Sequence, residues 1–166
     1  MPAPQEPTVP REPALPSSAF ASFASATELS HHPLRNSVIY DSGSDHYLGN
    51  DISRFDLNTI RWLDTPDHLI AGNSQLPILA YSDLVINTIT ATGEARPFIL
   101  RNAAYVLDFH VSVASARLFK RVQIYWDQRR DALTYGDRIL MKLTEIHGQF
   151  VIDYREPSTT VTSSNA

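Results

Sequence analysis

The residues best suited to chemistry are Asp41, Ser42 and Gly43, which follow the short β-forming run 38–40 (Val-Ile-Tyr). A carboxylate held at the end of a strand can act as a general base on a bound water. Two such carboxylates share one proton, because both cannot ionise cheaply at close range. The glycine permits a tight turn, and the serine hydroxyl can brace it. The element occurs once, so a two-carboxylate site needs two copies of the chain.

The tripeptide by itself has a second interpretation. Asp-Ser-Gly is also a common surface turn, because all three residue types favour turn conformations. The residues around it and further along the chain therefore have to decide between a catalytic loop and a plain turn.

The middle of the chain has mostly strand-like patterns. The runs expected to form strands are 38–40, 69–70, 76–81, 84–90, 97–100, 104–107, 122–126, 139–143 and 150–154, with 132–135 ambiguous. Good helix formers predict one short helix over 113–120. Short strands with turns about every 8–12 residues predict a mainly all-β fold, a small closed β-barrel.

The two ends differ in composition from the middle. Six of the eleven prolines fall at or before Pro16, and a small-residue stretch rich in alanine and serine follows over 17–26. Such segments cannot bury enough apolar surface to offset the entropy of ordering them. The composition therefore predicts disordered tails over 1–35 and 156–166, and a folded domain over 36–155.

Composition also excludes several classes of function. The net charge of −4 argues against a protein built to grip nucleic acid. The chain has no cysteine and no His-Glu-x-x-His spacing, so neither a metal nor another cofactor is expected. No apolar run approaches the roughly 18–20 residues that cross a bilayer, so no membrane partner is expected. The absence of cysteine leaves the compartment open, with a lean towards an intracellular location.

Five segments carry a family resemblance, in order along the chain. They are 41–46 (Asp-Ser-Gly-Ser-Asp-His), 71–78 (Ala-Gly-Asn-Ser-Gln-Leu-Pro-Ile), 105–118 (from Tyr-Val-Leu-Asp-Phe to Leu118), and the pair 126–127 (Trp-Asp) with 147–151 (His-Gly-Gln-Phe-Val). Together they resemble the protease segment of copia-type retrotransposon Pol polyproteins over about residues 36–154.

The resemblance implies a retropepsin-like acid-protease barrel that works as a homodimer and cleaves its own Gag–Pol polyprotein, in a virus-like particle where the element is active. Asp41 of each copy would form the catalytic dyad, with Ser42 and Gly43 completing each loop. The family assigns further roles to two triplets. The flap over the substrate would carry Gly72, Asn73 and Ser74, and the support behind the catalytic loop would be Val113, Ala114 and Ser115.

The chain departs from the family pattern at several positions. Leu107 replaces a proline, Ser112 replaces an asparagine, and Ala114 is smaller than the usual valine or leucine. The spacing from Ser115 to Leu118 is one residue shorter than in the family. These changes favour an alternative function, a decayed or co-opted copy that keeps the barrel as a non-enzymatic interaction or structural module.

Overall fold

The computed structural model describes residues 32–157, which are mainly β. The strands are β1 (Val38–Asp41), β2 (Leu48–Gly49), β3 (Arg61–Ala71), β4 (Ser74–Ile89), β5 (Ala95–Tyr105), β6 (Ser112–Ser115), β7 (Ile124–Asp127), β8 (Ala132–Tyr135), β9 (Arg138–Lys142), β10 (Thr144–Ile146) and β11 (Gln149–Asp153). The helical elements of this range are a 3-10 helix, Ile52–Arg54, and α1, Ala116–Arg121.

The strands form two sheets. The eight-stranded sheet has the order β10-β11-β1-β6-β2-β5-β4-β3, and the three-stranded sheet has the order β7-β8-β9. Most neighbours are antiparallel, whereas β1 pairs with β6, and β2 with β5, in parallel. Within residues 32–157 both sheets are open, so the mainly β fold is confirmed but the closed barrel is not.

The core lies in two hydrophobic clusters built from alternating strand residues. Along β4, every second residue from Ile78 to Thr88 is buried, which is the period of two that a strand with one covered face requires. The first cluster surrounds the fully buried Phe119 of α1. The second includes Ile39 of β1, Val113 of β6 and Val151 of β11, so it lies directly beneath the strand that carries Asp41.

The predicted helix over 113–120 is only partly correct, because the chain is a strand as far as Ser115 and a helix only from Ala116. Val113 pairs in parallel with Ile39, and both side chains are buried. Pairing with β1 therefore outweighs the helix propensity of this stretch. The helix begins where the Ser115 hydroxyl accepts a hydrogen bond from the Leu118 amide at 3.2 Å, which is an N-cap.

The hairpin predicted around Gly72 is present and longer than expected. β3 and β4 meet at a two-residue turn, in which Gly72 has a φ of 59°. Glycine adopts this left-handed conformation without strain, so the turn residue matches the turn geometry. β4 continues without a break through both runs that the sequence separated, 76–81 and 84–90.

The two ends of the described chain lie against each other. Leu34 is 1% exposed and belongs to the second core cluster, so the predicted tail 1–35 includes at least one core side chain. The side-chain Nδ2 of Asn36 donates to the Glu156 carbonyl at 3.2 Å, and the Ser37 hydroxyl donates to the Arg155 carbonyl at 3.2 Å. Residues 1–31 and 158–166 lie outside the described residues, where the tail predictions stay predictions.

Candidate active site

Asp41 is the last residue of β1, a strand flanked on both sides. β1 pairs antiparallel with β11 and parallel with β6, and in this register Asp41 stands opposite Ser115. Val38 and Ile39, at the start of the strand, are buried in the two core clusters. The core and the two neighbouring strands therefore hold the backbone that carries the carboxylate.

The turn after Asp41 is closed by the carboxylate itself. Oδ1 of Asp41 accepts a hydrogen bond from the Gly43 amide at 2.8 Å, which is an Asx-type turn. Ser42 and Gly43 are exposed, while Asp41 is half-buried. The carboxylate thus has one oxygen oriented by the backbone and remains accessible at the surface of this chain.

Within one chain, the turn does not require a glycine at position 43. Gly43 does not lie in the left-handed region, and a Cβ there would stand 3.4 Å from Asp41 Oδ1, an ordinary contact. Contrary to the sequence-based expectation, the turn therefore forms without needing the conformational freedom of glycine at position 43. Gly49 differs, because a Cβ there would lie 2.5 Å from Cζ of Phe55.

Ser115 ties the Asp41 loop to α1. Its fully buried hydroxyl donates to the Ser44 carbonyl at 2.6 Å while it accepts from the Leu118 amide. Ser44 in turn donates from its hydroxyl to the His46 carbonyl at 2.7 Å. The predicted support residues Val113, Ala114 and Ser115 are all buried and pair with β1, so the structure brings them together with Asp41.

Asp45, the next acid along the loop, is held by its neighbour. The Asp45 carboxylate and Nδ1 of His46 lie 2.7 Å apart, and this hydrogen bond lowers the pKa of Asp45. Asp45 is therefore poorly suited to carry a proton at mildly acidic pH. Sequence reasoning missed the pairing, although the adjacency of the two residues was a usable signal.

The predicted flap residues lie on a different element from the Asp41 loop. Gly72, Asn73 and Ser74 are exposed at the tip of the β3–β4 hairpin, and Ile70 beside them is 73% exposed. Within residues 32–157, no hydrogen bond joins this tip to the Asp41 loop. The structure of one chain therefore brings together two of the three predicted groups of site residues.

The side chains that depart from the family pattern are hydrogen-bonded, packed in the core or exposed to solvent. The Ser112 hydroxyl donates to Oδ1 of Asn50 at 3.0 Å and accepts from the Asn50 amide at 3.2 Å. The side chain of Asn50 also donates to the Phe109 carbonyl at 3.0 Å. Ala114 is fully buried in the first core cluster, and Leu107 lies in an exposed turn.

A buried ion pair braces the strands behind the site. Nη1 of Arg54 and Oδ2 of Asp153 lie 3.0 Å apart, and the Asn87 amide donates to the same oxygen at 2.9 Å. Nη2 of Arg54 also donates to the Asn36 carbonyl. Burial lowers the pKa of Arg54 and the neighbouring carboxylate opposes that shift. No local signal in the sequence links these residues, so sequence reasoning missed the pair.

Within residues 32–157 no group of three or more His, Asp or Glu side chains could hold a metal ion. The helices of this range are too short and too polar to cross a membrane.

Comparisons of the chain with protein-family models, with curated proteins and with solved structures found no match.

Proposed function

We propose that this chain is an aspartic endopeptidase of the retropepsin-like kind, derived from a copia-type retroelement and acting as a homodimer on its Gag–Pol polyprotein. One observation carries the proposal. Asp41 ends a strand held between two others, and the loop after it is tied by Ser115 to the start of α1. This is the rigid support that a catalytic carboxylate needs.

The chemistry follows from placing two copies of Asp41 side by side. Two adjacent carboxylates hold one proton between them, because the second ionisation is costly. The ionised partner takes a proton from a water that attacks the peptide carbonyl carbon, while the protonated partner donates to the carbonyl oxygen. The tetrahedral intermediate then collapses, and the C–N bond breaks as the leaving amine receives a proton. No cofactor takes part in these steps.

The second carboxylate is expected from another copy of the chain. Within residues 32–157, no other acid is hydrogen-bonded to Asp41, and the nearest one along the loop, Asp45, is engaged by His46. A single described chain thus offers half of a two-carboxylate site.

Gly43 gives a second reason to invoke a partner. The turn within one chain tolerates a Cβ at this position, so a requirement for glycine would come from outside the chain. The close approach of a second loop or of a substrate backbone is such a requirement.

The two sheets packed on a shared core are also compatible with the acid-protease barrel, which the proposal includes as its fold.

The alternative is a non-catalytic copy, and the departures from the family pattern are its support. Ser112 is hydrogen-bonded to Asn50 and Ala114 is buried in the core, so both departures are compatible with an intact fold, which either function requires. The intact sequence Asp41-Ser42-Gly43 is what favours the enzyme over the alternative.

The test compares two acid-to-amide variants of the full chain. Asp41→Asn should abolish cleavage of internally quenched peptides taken from Gag–Pol junctions at mildly acidic pH, whereas Asp45→Asn should retain it. Sedimentation should give a monomer–dimer equilibrium with a Kd of about micromolar or tighter. Unchanged cleavage by Asp41→Asn would rule out the dyad. A strict monomer without activity would establish the non-catalytic alternative.

A further inference from the structure

A groove of about 710 Å³ opens beside the Asp41 loop. Its floor is aromatic, formed by Tyr47, Phe98 and Phe119, whose rings pack against one another with centroids 5.6 and 6.1 Å from Phe119. Its walls include two exposed apolar side chains, Ile99 at 44% and Val122 at 57% exposure. The groove therefore presents apolar surface that residues 32–157 leave open to solvent.

Arginines line the rim of the groove. Arg117 and Arg121 project from one face of α1, because residues four apart are neighbours on a helix. Within residues 32–157 neither makes an ion pair, whereas the third rim arginine, Arg101, is paired with Asp83. Like charges at this spacing repel, so an anion that meets both guanidinium groups is favoured, although Asp45, also on the rim, already offsets part of the charge of Arg117. This local positive charge contrasts with the net charge of −4 of the whole chain.

The groove favours a peptide over a nucleic acid. Binding of single strands depends on exposed aromatic faces on which bases stack. Here Tyr47 and Phe119 are part of the floor, but their rings are almost fully buried. The carboxylate of Asp45 also lies on the rim, where it would repel a continuous phosphate backbone. Separate carboxylates of a peptide can meet the arginines in bidentate pairs and avoid this acid.

We propose that this groove binds an acidic segment of the polyprotein substrate, in which carboxylates flank an apolar side chain. The apolar side chain would lie against Ile99 and Val122, and the carboxylates would meet Arg117 and Arg121. The assignment of substrate as the occupant rests on the proposed function. Asp45 and His46 line the groove and directly follow the candidate catalytic loop 41–44, so a chain bound at Asp41 can continue into it.

A binding experiment tests the groove without depending on cleavage. The full chain carrying Asp41→Asn is titrated with a fluorescein-labelled peptide of alternating Glu and Leu, and with its counterpart that has Lys in place of Glu. Arg117→Glu with Arg121→Glu should weaken binding of the acidic peptide by about tenfold or more, the size expected for charge-assisted hydrogen bonds lost. Arg129→Glu with Arg138→Glu makes the same change in net charge at exposed residues outside the groove and outside α1, and should change binding by less than about twofold.

Several results would overturn the groove assignment. These are equal weakening in both double variants, equal affinity for the acidic and basic peptides, or tighter binding of an oligothymidylate than of the acidic peptide. A cleavage assay of the chain with Asp41 intact then separates the two proposals. Cleavage that is insensitive both to acidic flanking residues and to the Arg117/Arg121 changes would refute the groove alone. Selective peptide binding without any cleavage would refute the protease and retain the acidic-peptide site.

Discussion

Arg54 and Asp153 lie 99 residues apart in the chain, yet their side chains meet at 3.0 Å with only 2% and 4% of their surfaces exposed. The pair joins the 3-10 helix to β11, the strand that flanks β1. A buried charge that loses its partner is strongly destabilising, because its desolvation is no longer compensated. The strand that carries Asp41 therefore depends on this pair for its stability.

The first prediction concerns this pair. Asp153→Asn or Arg54→Met alone should lower the free energy of unfolding by about 3–5 kcal/mol, measured by urea denaturation. The double change Arg54→Met with Asp153→Leu should cost less than the sum of the single changes, because no unpaired buried charge remains; Arg155, which also pairs with Asp153, is 41% exposed. As a control, Asp45→Asn removes a carboxylate from the exposed pair with His46, whose side chains are 63% and 48% exposed, and should cost less than about 1 kcal/mol. Additive losses in the double variant would contradict the coupling.

The second prediction separates folding from catalysis at Gly43. Gly43→Ala should leave the free energy of unfolding within about 1 kcal/mol of the parent chain, since the added Cβ meets only an ordinary contact. Peptide cleavage should nevertheless fall, because the methyl group intrudes where the second copy approaches. Gly49→Ala is the matched control and should destabilise the fold by about 1–3 kcal/mol, since its Cβ would clash with the Phe55 ring. Full activity in Gly43→Ala would remove this argument for a partner.

The third prediction is a loss of stability on acidification, caused by His110. This side chain is 2% exposed, and burial, with smaller contributions from the charges of His32 and Arg35, lowers its pKa from 6.5 to about 4. On acidification, His110 is protonated near pH 6.5 in the unfolded chain but only near pH 4 in the folded chain. The contribution of neutral His110 to the free energy of unfolding is therefore fully present above pH 6.5 and is lost as the pH falls towards 4, by roughly 2–4 kcal/mol in total.

Urea unfolding at several pH values measures this effect. His110→Phe should flatten the dependence between pH 6.5 and 4, since phenylalanine has no proton to take up. His68→Phe, at an exposed position of β3, is the matched control and should retain the slope of the parent chain. An unchanged slope in His110→Phe would assign the effect to other groups. The prediction also implies that assays at mildly acidic pH use a less stable protein.

The fourth prediction places the start of the folded unit before Leu34 rather than at Asn36. Leu34 is 1% exposed in the second core cluster, so Leu34→Ala should cost about 2–4 kcal/mol. A chain that begins at His32 should melt at the midpoint of the full chain, whereas one that begins at Asn36 should melt about 5–15 °C lower. Equal midpoints for the chains that begin at 32 and at 36 would show that Leu34 contributes nothing.

Local patterns made part of this fold predictable. The run 38–40 ends in a turn signal at 42–43, and β1 with its Asx-type turn lies where that pattern placed it. The hairpin at Gly72 was predictable for the same reason, since one residue type suits the turn geometry. Both features depend only on neighbours in sequence.

Other parts depend on contacts between distant residues and could not be predicted. The first half of β3 has no strand-like pattern. Arg61 and Trp62 join the sheet because they pair with Tyr81 and Ala80 of β4, whereas residues 63–66 form an irregularity in that pairing. Val113 to Ser115 have mixed propensities, and pairing with β1 makes them a strand. The Arg54–Asp153 pair and the Ser112–Asn50 hydrogen bonds likewise have no local pattern.

The position of β1 in the sheet has a consequence for the order of folding. Its two neighbours, β6 and β11, come from residues 112–115 and 149–153, so both of its pairings close long loops. Contacts between distant residues form slowly, because the entropy of loop closure is lost before the pairing compensates for it. On a ribosome, Asp41 emerges before either partner strand, and β11, which pairs with Val38 and Ile39, is among the last parts of the described chain to be made. A nascent chain therefore cannot complete the sheet around β1 until synthesis has passed Asp153.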